Sequence, residues 1–133
     1  MTRYATALSG DPAQTYRSVD LAARTGGADP HALVSLLYEE AVRALRSAAW
    51  ATDNRQYAMK SDRVTRATAI LFALEAGLDF DKGGDLSQTL SRLYTSLREQ
   101  IVNASIGQDA RPFLNAAASL TDIAEAWEAV RPR

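Results

Sequence analysis

Leu86, Leu90, Leu93, Leu97, Ile101 and Ala104 follow one another at spacings of three or four residues. A helix of 3.6 residues per turn carries all six on one face, whereas a strand would divide them between two faces. The same rhythm recurs in Leu33, Leu37, Ala41, Ala44 and Ala48, with Leu36 and Leu45 beside them. It returns in Val64, Ala67, Leu71, Leu74 and Leu78, and in Phe113, Ala117, Leu120, Ala124 and Trp127. An apolar stripe needs a partner to bury it. Four stripes in one chain of 133 residues can cover each other.

Gly and Pro fall between the stripes. Asp29-Pro30 suits a helix start, because the Asp side chain can accept from free amides and Pro fits the first turn. Asp53-Asn54 breaks the chain, and the next helix is expected from about Arg55 to Leu78, with a left-handed stop near Gly77. Phe80 to Gly84 reads as a turn. Asp85 then begins the following helix, with Gln88 as its capping-box partner, and Gly107 ends it. Asp109 to Pro112 opens the last helix. Glu39 and Arg43 are placed for an i,i+4 ion pair. Met1 to Gly10 has no periodicity and reads as a mobile tail, and a short helix is expected from Asp11-Pro12 to about Arg24. The expectation is an all-α chain: an antiparallel four-helix bundle with a short N-terminal cap helix, with residues 11–133 forming one domain.

Composition supports that class, with 25 Ala and 15 Leu against 6 Val and 4 Ile. It also removes functions. Without Cys there is no disulfide, thiolate nucleophile or Cys-ligated zinc. A net charge of −1 does not suit nucleic-acid binding. No apolar run approaches the ~18 residues of a membrane span, and the N-terminal stretch lacks a signal-peptide core, so no membrane insertion and a cytoplasmic location are expected.

The single His31 argues against a bundle di-metal site, which draws on inward Glu-x-x-His pairs, and against a Ser-His-Asp arrangement. Gly26-Gly27 and Gly83-Gly84 lack the Lys and hydroxyl of a phosphate loop. No catalytic residue, metal or cofactor is expected. Thirteen Arg against two Lys is unusual, and a small enzyme with an Arg-lined anion pocket stays open as an alternative. So does a helical adaptor for another partner helix. Leu36-Leu37-Tyr38, Ile70-Leu71-Phe72 and Leu93-Tyr94 cover wider arcs than one seam uses, and spare apolar surface of this kind receives partner helices.

From Tyr16 to Trp127 the chain resembles the flagellar secretion chaperone family FliS. The likeness lies in an ordered set: Tyr16, then Pro30 in GADPHALVSLLYEEA, then LEAGLDF, then Leu93-Tyr94, then Ala126-Trp127. It departs from the family pattern at Glu40, where Gly is usual, at Thr95-Ser96, where the second aromatic is replaced, and at Ser105, where Asn is usual. The resemblance implies a non-enzymatic cytosolic chaperone. Such a protein binds the C-terminal segment of flagellin, prevents its premature polymerisation and delivers it to the flagellar export gate. It also implies a flagellin-binding surface, here expected at Tyr16, Leu36, Leu37, Tyr38, Leu93, Tyr94 and Leu97, with the short helix around Tyr16 covering part of the empty groove.

Overall fold

The computed structural model describes residues 29–130, which form four α-helices and no strand. These are α1 (Pro30–Asp53), α2 (Tyr57–Ala76), α3 (Phe80–Ile106) and α4 (Arg111–Ala129). The expected tail at 1–10 and the short helix carrying Tyr16 lie outside the described residues.

Helix α1 begins as its sequence dictates. Pro30 takes the first turn, and the Asp29 side chain accepts from the Ala32 N–H at 3.1 Å. At its far end Gln56 N–H reaches back to the Ala51 carbonyl at 2.8 Å, and Arg55 turns the chain with φ of 55°. That left-handed conformation is normally glycine's, because a Cβ crowds the adjoining carbonyl.

The other connections differ in detail from the sequence expectation. Gly77 follows α2 with φ of −84°, so α2 ends without a left-handed residue. Helix α3 starts before Asp85. Asp79 caps it, accepting from the Asp81 and Lys82 N–H groups at 3.0 Å each. One turn follows, and Gly84 then breaks the helical path with φ 52° and ψ −124°. The Phe80–Gly84 segment is therefore a capped turn and a kink. The seat of the cap is Asp79, with the Ser87 hydroxyl donating back to the Asp79 carbonyl at 2.9 Å.

Short connections make successive helices antiparallel. Helix α1 packs most closely, against α2 on one side and α4 on the other. Helix α3 leans on α2 and only loosely on α4. Small side chains permit the close seams: Ala41, Ala44, Ala48 and Ala49 on α1 face a core that includes Ala67, Ala73, Ala116 and Ala117. The larger buried side chains fill the rest, among them Leu37, Leu45, Leu71, Tyr94, Ile101, Phe113 and Leu120.

Polar links cross the seams. Glu40 reaches Arg66 on α2 at 3.3 Å, and Arg43 pairs with Glu40 at 3.7 Å and not with Glu39. Glu75 on α2 accepts from Ser91 at 2.7 Å and from Arg98 at 2.5 Å, both on α3. The same guanidinium lies 3.9 Å from the ring centre of Phe72, which is 55% exposed. Burial pushes the Glu75 carboxyl up, but the hydrogen bonds from Ser91 and Arg98 and the Arg98 charge outweigh it and hold the group below the ordinary carboxylate range. At the α1–α2 end of the bundle, the buried Lys60 donates to the Gly107 carbonyl at 2.6 Å, past the end of α3.

Candidate partner-binding surface

The start of α1, the end of α2, the first half of α3 and the end of α4 meet at one end of the bundle. There the apolar stripes run past the point where the core closes. Val34, Leu78, Leu90, Leu93, Ile123 and Trp127 all pack on the core yet remain only partly covered. Leu33 and Leu36 on α1 are also half-buried. Leu86, 65% exposed, and Phe80, 49% exposed, extend this apolar character along the first turns of α3. Helix α4 packs far less on α3 than on α1.

A polar latch secures the floor of this end. The rings of His31 and Trp127 stack with centroids 4.2 Å apart and planes 9° from parallel. The Trp127 indole N–H donates to the His31 carbonyl at 3.0 Å, and His31 Nε2 lies 2.8 Å from the Trp127 carbonyl. With Nε2 as donor, the buried Nδ1 is left with no hydrogen-bond partner. Ser35 donates to Glu128 beside the latch. These contacts pin the first turn of α1 to the last turns of α4, and they engage His31 structurally.

The residues singled out from the sequence divide into three groups. Leu37, Tyr38, Tyr94 and Leu97 are buried, each at 1–2% exposure, and present little surface to a partner. Leu36 and Leu93 are half-buried and stand among the partly covered residues. Tyr16 lies outside the described residues. The buried tyrosines have their own role. Tyr38 and Tyr94 join hydroxyl to hydroxyl at 2.6 Å across the core, linking α1 to α3, two helices that share no seam. Burial pushes the Tyr38 phenol above its ordinary value, although the bond to Tyr94 partly opposes this. Burial and then the bond and charge of Tyr38 push Tyr94 up further. Tyr38 also contributes to the floor of a 630 Å³ groove between α1 and α4.

Leu78, Leu90 and Ile123 were missed as surface residues. A signal for them existed: Leu86, Leu90 and Leu93, or Ile123 and Trp127, prolong their stripes beyond what a short bundle can bury. The Arg residues of the α2 and α3 seams do not gather into an anion pocket, because Arg66 and Arg98 face Glu40 and Glu75. Among the described residues no group of three His, Cys, Asp or Glu side chains is placed to hold a metal ion, and no helix is long and apolar enough to cross a membrane.

Comparison with known proteins agrees with the resemblance read from the sequence. The family model described as Flagellar protein FliS matches residues 12–133. The flagellar secretion chaperone FliS of Salmonella typhimurium is 30% identical over 121 residues, covering 90% of each chain. FliSB of Pseudomonas aeruginosa, also a flagellar secretion chaperone, is 28% identical over 115 residues, 86% of this chain and 91% of that one. The Campylobacter jejuni flagellar secretion chaperone FliS is 32% identical over 109 residues, 80% of this chain and 84% of that one.

Proposed function

The chain belongs to the FliS family of flagellar secretion chaperones, which are not enzymes, and from that premise we propose that it binds the C-terminal segment of flagellin, keeps it from polymerising early and hands it to the flagellar export gate. The work is done in the cytoplasm and requires no cofactor. The observation that carries this reading is the partly covered apolar end of the bundle, where Leu36, Leu78, Leu90, Leu93 and Ile123 lie beside exposed Leu86. An amphipathic segment that is disordered when free would bury its stripe there and fold as it binds. Leu37, Tyr38, Tyr94 and Leu97 act from beneath, by holding the helices that carry the surface. Tyr16 contributes from the N-terminal segment.

Co-purification with flagellin, with and without its C-terminal segment, tests the reading. The full protein is expected to be retained and the truncated one lost. Leu86→Glu and Leu93→Glu should weaken retention. Leu86→Glu should also leave the melting temperature nearly unchanged, because that side chain is largely outside the core. Retention of truncated flagellin at full strength would refute the proposal.

A further inference from the structure

The chain has two lysines, Lys60 and Lys82, and Lys60 is buried. Its ammonium lies 6.0 Å from the centre of the Phe113 ring and donates to the Gly107 carbonyl at 2.6 Å. An ammonium has three N–H groups, so two are left without a partner among the described residues. No ion pair among the described residues involves Lys60. The other charges at the helix seams are balanced, with Arg66 on Glu40 and Arg98 on Glu75. The Gly107 carbonyl offers only the fractional charge of a helix C-terminus, roughly half a unit. Most of the Lys60 charge is therefore uncompensated, and an uncompensated charge is costly to keep from water.

A pocket of 360 Å³ opens beside Lys60, between the first turns of α2 and the end of α3. No Asp or Glu lines it. The carboxylates nearest in sequence, Asp62 and Asp109, are held by Arg63 and Arg111. Ser61 and Thr65 line the α2 wall one turn apart, and neither hydroxyl holds a hydrogen bond among the described residues. The Ser105 hydroxyl on the opposite wall is already spent on the Val102 carbonyl. Helix α2 begins here without a side-chain cap, so the positive end of its dipole adds to the Lys60 charge. Two apolar side chains also line the pocket and project from it: Tyr57 is 59% exposed and Ile106 is 83% exposed.

We propose that this pocket binds a carboxylate carried on a short apolar body, with the carboxylate on the Lys60 ammonium and the Ser61 and Thr65 hydroxyls and the apolar body between Tyr57 and Ile106. One cation balances one negative charge, so the match is a carboxylate and not a phosphate monoester, which carries nearly two. The volume lies at the small end of ligand pockets and suits a ligand the size of one residue, not a helix. Such a carboxylate belongs to a free short-chain acid or to the last residue of a polypeptide. The pocket is at the start of α2, whereas the partly covered apolar surface is at its end. The two proposals therefore stand or fall separately.

The test uses the full-length protein, labelled for amide NMR, and three probes that share an isobutyl group: 4-methylpentanoate, N-acetyl-leucine and the neutral N-acetyl-leucinamide. Both acids are expected to shift the Ser61, Ile106 and Gly107 amides and to saturate at about millimolar concentration, as befits ligands this small. The neutral amide should bind at least about tenfold more weakly, for loss of a charge-assisted hydrogen bond. Lys60→Met keeps the apolar stem and removes the charge, and it should weaken both acids by about the same factor. Circular dichroism checks its fold. If that variant does not fold, Ile106→Glu places a like charge at the exposed mouth, and it should weaken both acids by about fivefold and the amide by less. Tighter binding of N-acetyl-leucine than of 4-methylpentanoate supports the proposal with a chain end as the source, and the reverse order supports it with a free acid.

Equal binding of the amide and the acids would overturn the proposal. So would acid binding unchanged in folded Lys60→Met or in Ile106→Glu, or shifts confined to the surface around Leu86 and Leu93. An absence of saturable shifts at about 50 mM, more than tenfold above the expected affinity, would overturn it as well.

Discussion

The hydroxyl pair of Tyr38 and Tyr94 offers a sharp test of how the helices are held in register. Both side chains are at most 2% exposed, and their oxygens are 2.6 Å apart. Tyr94→Phe removes the bond and leaves the Tyr38 hydroxyl buried with nothing to replace it. The cost of such an orphan is about 1–3 kcal/mol. Tyr38→Phe should cost about the same by the mirrored argument. The double variant removes both polar groups together, so it should be close to neutral, and the cycle should yield a coupling near the sum of the two single costs, about 2–6 kcal/mol. With a urea slope of about 1–3 kcal/mol per molar for a small protein, a loss of about 2 kcal/mol moves the midpoint by about 1 M. Urea titration followed by circular dichroism at constant slope reads this directly. The pair also has a pH signature. Both phenols titrate above the ordinary value of 10.0 when folded. The native state therefore keeps protons that the unfolded chain releases, and stability that is full below pH 10 falls as pH rises above it. The double Phe variant should lack that alkaline loss. Single variants whose costs simply add in the double would refute the claim that the hydroxyls satisfy one another.

Other outcomes follow from local geometry. Arg55→Gly should stabilise the protein by about 1 kcal/mol in thermal melts, because φ of 55° is strained for Arg and free for Gly. Gly84→Ala should destabilise by about 1–3 kcal/mol in the same assay, since φ 52° with ψ −124° suits only glycine. Gly107→Ala, at φ −90° with an added Cβ in ordinary contact with the Ala104 carbonyl at 3.9 Å, should be nearly silent. Glu75 titrates below its ordinary value when folded, so the stability it contributes is present above pH 4.5 and is lost as pH falls. Acid should accordingly speed amide exchange along the α2–α3 seam in the wild type, with a smaller pH response in Glu75→Gln.

Much of the architecture was legible in advance because helical periodicity is a local property. The stripe from Leu86 to Ala104 and the Asp29-Pro30 start specify α3 and α1 almost by themselves. The capping of α3 was less legible. Asp79 and Asp85 both precede helical sequence, and Gly83-Gly84 reads equally well as a turn or as a kink after one helical turn. The site was legible only in part. Leu36 and Leu37 are adjacent and chemically identical, yet one is half-buried and the other sealed. Their difference depends on where the neighbouring helices sit.

By itself the sequence determined four amphipathic helices, their approximate limits, their antiparallel order and the absence of thiol chemistry. All of these depend on spacing and composition along the chain. The tertiary structure alone decided which apolar residues are core and which are surface. Tyr38 and Tyr94 were expected to face a partner, but they face each other across the core. Leu90 reads as an interior position on its stripe, yet it lies only partly covered. A stripe fixes which side of a helix is apolar, whereas burial depends on how closely a second helix approaches that side at each level of the bundle.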